Sequence, residues 1–112
     1  MMNIFELKRG DRSRPIEAIL EDPDSGIAAD LTGCTVLFLM KNISTGTVRS
    51  GVAQIVGAAT DGRVRYSFAA DDVSAVARLR CEWEVTNTGT GLLATYPSSG
   101  YDTVVIAQDL NP

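Results

Sequence analysis

No histidine occurs among the 112 residues. Its absence removes the side chain most used in general acid–base catalysis and the imidazole ligand of metal sites, so Ser-His-Asp and Cys-His arrangements are excluded. Cysteine is scarce. Cys34 and Cys81 are too few for a disulfide framework and, without histidine, too few for the four ligands of a structural zinc. They read as free thiols buried as small apolar residues, with an inter-sheet bridge as the alternative in an oxidising compartment. Aromatic residues make up only 6%, which leaves few rings for a carbohydrate-stacking surface. No stretch approaches the ~20 apolar residues of a membrane span. The first nine residues, Met1 to Arg9, hold no charged leader followed by an apolar run, so no signal peptide is expected and synthesis is expected in a cytoplasm. Ten Lys and Arg face 14 Asp and Glu, a net charge of −4. That balance argues against nucleic acid as the main partner, because phosphate binding needs a positive surface.

What is present has the make-up of a globule, with 45% hydrophobic and 21% charged residues. The length suits one domain over residues 1–112, large enough to bury a core without the staples needed below about 70–80 residues. The dominant signal is period-two alternation in short runs. In Leu79-Arg80-Cys81-Glu82-Trp83-Glu84-Val85-Thr86 the odd positions are apolar and the even ones polar, a strand with one buried and one wet face. Trp83 shares parity with Leu79, Cys81 and Val85 and belongs in the core. Arg63 to Phe68 buries Val64, Tyr66 and Phe68; Arg14 to Leu20 buries Ile16, Ala18 and Leu20 with Glu17 opposite. Thr35 to Lys41 is more continuously apolar, with Val36, Phe38 and Met40 inward and Leu37 and Leu39 partly covered. Weaker strands are expected at Val52 to Val56, Leu92 to Thr95 and Thr103 to Ala107.

Turn residues punctuate these runs. Gly46 lies in Asn42 to Thr47, Asp61-Gly62 separates two runs, and Asn87-Thr88-Gly89-Thr90-Gly91 precedes Leu92; glycine and asparagine supply the positive φ of hairpins. Seven or eight strands spaced by turns predict an all-β antiparallel sandwich or small barrel. Asp71 to Arg78 reads as a single helical turn with Asp71 or Asp72 as N-cap, crossing between sheets. There are no internal repeats, low-complexity tracts or dividing linkers.

No catalytic, metal or cofactor residues stand out. Asp71 and Asp72 are adjacent, and neighbours on a strand point to opposite faces; Glu82 and Glu84 alternate with core residues as solvated positions do. Asp22-Pro23-Asp24-Ser25-Gly26 begins like a calcium loop, but positions five and twelve fall on Gly26 and Gly33, so it reads as a turn. Gly89-Thr90-Gly91 is too short to cradle phosphate, and no helix follows it. Arg9-Gly10-Asp11 and Asn42-Ile43-Ser44 match short tripeptide motifs of very low information; the second reads as a surface turn. Two charged groups are candidate partner-binding surfaces: basic Lys8, Arg9, Arg12 and Arg14, and acidic Glu17, Glu21, Asp22 and Asp24. A solvated N-terminal segment accounts for the basic group as well as a docking patch does. Residues 1–13 read as a partner-contacting segment that extends onto a neighbour by strand addition.

Several of these runs, in order, resemble a known family. Arg9-Gly10-Asp11 is followed by Asp30-Leu31-Thr32-Gly33 leading into Val36-Leu37-Phe38-Leu39-Met40. Then come Asp61 to Phe68 with Asp71-Asp72, the Glu82 to Thr86 strand, Tyr96-Pro97, Gly100-Tyr101 and Val104-Val105-Ile106. From about Phe5 to Leu110 the chain resembles the immunoglobulin-like N-terminal domain of phage baseplate upper proteins and related small phage and prophage tail proteins. The resemblance implies an immunoglobulin-like antiparallel β-sandwich and a non-enzymatic virion protein made in a bacterial host cytoplasm. It implies docking onto other phage tail or baseplate proteins in several copies per particle; from the residues themselves no cofactor and no nucleic-acid or membrane partner is expected. It supplies no catalytic residues. Two alternatives stay open: a neck or capsid accessory protein, and a carbohydrate- or host-receptor-binding module of the tail with Tyr96 and Tyr101 as its ligand-binding aromatics.

Overall fold

Alternating β-branched and aromatic residues make strands wherever a tight turn ends each run. The computed structural model describes residues 4–96 and 103–110. Its strands are β1 (Ile4–Lys8), β2 (Ile16–Ile19), β3 (Cys34–Asn42), β4 (Val48–Val52), β5 (Gln54–Ile55), β6 (Arg63–Tyr66), β7 (Ala77–Asn87), β8 (Leu93–Tyr96) and β9 (Thr103–Ala107). Two 3₁₀ turns, Ala59–Asp61 and Ala70–Asp72, complete the elements. The chain is an all-β sandwich. One sheet has six strands in the order β1-β9-β7-β3-β4, with β8 also on β7; the other has three in the order β2-β6-β5.

β7 organises the larger sheet. Its eleven residues pair with β3 along one edge, from Leu79 opposite Asn42 to Asn87 opposite Cys34. Its other edge is shared by β9 over Ala77 to Arg80 and β8 over Trp83 to Thr86. Pairing is antiparallel throughout except that β1 runs parallel to β9, so the antiparallel expectation gives way at this edge. A parallel pair needs distant segments, here the two ends of the chain, and alternation within a run carries no sign of it.

The inward parity of each strand fills the space between the sheets. Trp83, Phe38 and Ile16 are fully buried, and Val36, Met40, Val64, Phe68, Leu79 and Val104 join them. Phe38 sits opposite Trp83 across β3 and β7, ring centroids 4.6 Å apart, and stacks on Tyr66 of the facing sheet at 4.9 Å. Tyr66 and Phe68 meet edge to face at 5.6 Å, a geometry aromatic quadrupoles favour. Leu37 and Leu39 are half-buried on the outer face, as expected.

Three expectations are corrected. Val48 to Ile55 carries two strands where one, Val52 to Val56, was expected. The chain leaves the larger sheet at Ala53, whose N–H donates to the Val36 carbonyl at 2.9 Å, and enters the smaller one as β5. Asp71 to Arg78 holds a 3₁₀ turn at Ala70–Asp72, and Asp72 closes it from the far end by accepting the Ala69 N–H at 2.7 Å, so neither aspartate is its N-cap. The alternative of an inter-sheet disulfide fails because both cysteines lie in one sheet, Cys34 facing Asn87 and Cys81 facing Met40. Six positions of strand separate them, roughly 20 Å, far beyond the reach of a bridge.

Gly62 fixes the entry to β6. Its φ is +68°, and a Cβ there would lie 2.7 Å from the Leu20 carbonyl oxygen and 3.1 Å from the Ala29 nitrogen. Gly62→Ala therefore adds a backbone collision to the left-handed penalty and is expected to cost about 2–4 kcal/mol. Gly46→Ala, at φ +76° with open space around it, is expected to cost about 1–2 kcal/mol, from the penalty alone. Denaturant unfolding of the two variants measures the difference, and equal costs would refute the collision.

Candidate functional site

The surface is shaped by three loops built on one local rule. Asp22, Asn42 and Asn87 each start a six-residue loop whose side-chain oxygen accepts the N–H groups two and three residues on, at 2.8–3.2 Å. In each, the glycine four residues on (Gly26, Gly46, Gly91) donates to the first residue's carbonyl at 2.7–2.8 Å. The hydroxyl three residues on (Ser25, Thr45, Thr90) accepts the N–H of Ile27, Thr47 or Leu92, each at 3.2 Å. A short acceptor side chain followed by a hydroxyl and a glycine is thus a complete turn specification. The pattern of Asp or Asn, two residues, Ser or Thr, then Gly is visible in the sequence. Ser25 and Asp24 N–H donors stabilise the Asp22 carboxylate and lower its pKa, and the Thr32 hydroxyl, followed by its N–H, lowers that of Asp30. Asp22 to Gly26 is therefore a turn, as expected.

The acidic candidates do not form one surface. Glu17 pairs with Arg65 across β2 and β6 at 2.6 Å. Glu21 forms an isolated bridge with Ala28 that closes the Asp22 loop, and Asp24 lies exposed at its tip. Among the basic candidates, Arg9 pairs with Asp109 at 2.9 Å. The Arg14 guanidinium lies 4.2 Å from the centre of the Phe5 ring and donates to the Glu6 carbonyl. Lys8 and Arg12 are exposed. Lys8 and Arg14 share a shallow groove of about 210 Å³ with Glu6, Leu7, Asp11 and Ser13. Arg14 precedes β2, Glu17 lies within it and Glu21 follows it, while Lys8 ends β1.

Residues 4–8 of the segment expected to contact a partner form β1 and pair with the chain's own β9, with Phe5 and Leu7 buried in its core. Tyr96 is half-buried opposite Trp83 and packs against the core. Tyr101, its expected companion, lies outside the described residues.

A polar cluster at the sandwich rim was not legible. Asp72, buried within the core boundary, accepts from the Tyr66 hydroxyl at 2.5 Å, the Ala69 N–H at 2.7 Å and Arg49 Nε at 3.0 Å. It ties β4 of the larger sheet to β6 of the smaller one. Burial, reinforced by the hydrogen bond to Asp72, pushes the Tyr66 phenol well above its usual range. Arg49 comes from a segment no alternation marked, and 23 positions separate it from Asp72.

No family model and no curated protein matches the chain in sequence. Among solved structures, the N-terminal domain of phage TP901-1 ORF48 is similar, with a TM-score of 0.63 and 14% identity over 96% of this chain and 89% of that one. At that identity the likeness is one of fold.

Proposed function

We propose that this chain is a non-enzymatic structural component of a phage particle, a tail or baseplate domain that docks onto other tail proteins in several copies. The observation that carries the reading is the fold it shares, over nearly its whole length, with the N-terminal domain of a phage protein. The sequence resemblance to phage baseplate upper proteins supports it separately, through core and turn residues. The surface chemistry agrees. Arg9, Arg14 and Glu17 are engaged within the chain, which leaves Lys8, Arg12, Asp24 and the Asp22 loop to face neighbouring subunits. Charges of this kind set orientation and on-rate more than affinity.

The test is quantitative mass spectrometry of purified particles from the phage or prophage that encodes the chain. Recovery at a fixed multiple of three or six relative to a tail protein of known copy number is expected. Absence from mature particles would overturn the reading.

A further inference from the structure

Sheet edges invite pairing unless something blunts them. On β1, Arg9 N–H donates to the Ala107 carbonyl, so the groups of Leu7 and Phe5 face β9 and those of Lys8 and Glu6 face outward. Those outward carbonyls are occupied: Arg14 donates to Glu6 and the Asp11 N–H to Lys8. Among the described residues none covers β4 in this way. Asn42 N–H donates to the Thr47 carbonyl and Ala53 N–H to Val36. In an antiparallel ladder hydrogen-bonded pairs alternate, so Arg49 and Gly51 face β3, while Val48, Ser50 and Val52 present their N–H and C=O groups outward. The strand has no proline, no bulge and no charge on its outer face. Its one charged residue, Arg49, points inward to Asp72.

The sequence Val48-Arg49-Ser50-Gly51-Val52 is also nearly its own reverse. We propose that β4 pairs antiparallel with β4 of a second copy of this chain, about a two-fold axis through Ser50. In that register Ser50 faces Ser50 and each valine faces Val52 or Val48 of the other copy, so all three outward residues of both strands form hydrogen-bonded pairs. Arg49 faces a glycine, so no like charges meet. Val48 and Val52, 61% and 78% exposed, become cross-strand β-branched pairs. They extend the half-buried Leu37 and Leu39 into one apolar stripe, beside a shallow depression of about 270 Å³ lined by Leu39, Met40, Lys41, Val48, Arg80 and Glu82. The two outer rows across the joined sheet run Arg80, Lys41, Val48, then Val52, Leu37 and Glu84 of the second copy, and the central row runs Glu82, Leu39, Ser50, then Ser50, Leu39 and Glu82 of the second copy. The inference goes beyond the virion reading and does not rest on it, since it concerns two copies of the isolated chain.

The experiment is sedimentation equilibrium of the full chain, with amide hydrogen exchange read at Val48, Ser50 and Val52. A concentration-dependent dimer is expected, with those three amides at least tenfold slower at high concentration. Because each copy carries −4, added salt is expected to strengthen association. Replacing both valines, Val48→Lys with Val52→Lys, is expected to give a monomer with unchanged circular dichroism and melting temperature. Ser50→Cys in a Cys34→Ser background is expected to cross-link under mild oxidation, and Ser67→Cys, on an exposed position elsewhere, is not. A monomer at every accessible concentration would overturn the proposal, as would a dimer that survives the double lysine change or that cross-links equally through Ser67→Cys.

Discussion

Trp83→Ala is expected to lower unfolding free energy by about 3–5 kcal/mol, the usual cost of emptying a fully buried large aromatic site. The indole is 0% exposed, stands opposite Phe38 and touches its ring. Collapse around the cavity is limited because neighbouring positions on β3 and β7 are held in ladder register on both sides. For a domain of this size each kcal/mol moves the melting temperature by roughly 4–8 °C, so a fall of about 12–40 °C is expected in thermal melts followed by circular dichroism. Trp83→Phe provides the contrast. Among the described residues, Trp83 Nε1 is the buried side-chain nitrogen or oxygen with no hydrogen-bond partner. Phenylalanine keeps most of the packing and removes that unpaired donor, whose burial costs about 1–3 kcal/mol. The expected loss is less than half that of alanine. Equal losses for the two variants would show that the indole N–H is satisfied in solution.

That residue also shows how far the fold could be read from the sequence. Parity in Leu79 to Val85 assigned Trp83 to the core because a strand turns successive side chains to opposite faces, and the same rule placed Ile16, Val36, Phe38, Met40, Val64, Tyr66 and Phe68 correctly. Turn chemistry was legible for a similar reason: Asp22, Asn42 and Asn87 accept from residues two and three positions on. Pairing over distance was not. β1 reads as a polar-flanked N-terminal stretch, and only the presence of β9 across the sheet makes Phe5 and Leu7 core residues. The switch of sheets at Ala53 leaves no mark either, because a strand that changes partners keeps the composition of a strand.

The charged candidates show the same division. Their exposure follows from composition, but their engagement depends on partners far along the chain: Asp109 for Arg9, Arg65 for Glu17, Phe5 for Arg14. A cluster that looks contiguous in sequence is therefore divided between internal ties and open surface. Self-complementarity of β4 was present in the letters, yet it acquires meaning only once the strand is known to lie at an edge with Arg49 turned inward.

Asp72→Ala is expected to cost about 2–5 kcal/mol, because it orphans the Tyr66 hydroxyl and the Ala69 N–H, each worth about 1–3 kcal/mol when left buried and unpaired. Arg49 is half exposed and turns to water. Tyr66→Phe removes a donor without stranding one, since Asp72 keeps Ala69 and Arg49, and about 1–2 kcal/mol is expected. The double variant should then cost less than the sum of the two by about 1 kcal/mol or more, as contacting groups do. The pair also sets a pH dependence. Burial and the Asp72 hydrogen bond raise the Tyr66 phenol in the folded chain, while in the unfolded chain it titrates near about 10. Below pH ~10 both states hold the proton and the contribution to stability is complete. As pH climbs from ~10 toward the folded value, the unfolded chain loses the proton while the folded chain keeps it, so stability falls. Urea unfolding at pH 7, 10 and 11 is expected to show the wild type losing stability more steeply than Tyr66→Phe above pH 10. Parallel losses would mean that the phenol is not held between the sheets by Asp72, and would remove the tie that joins β4 to β6.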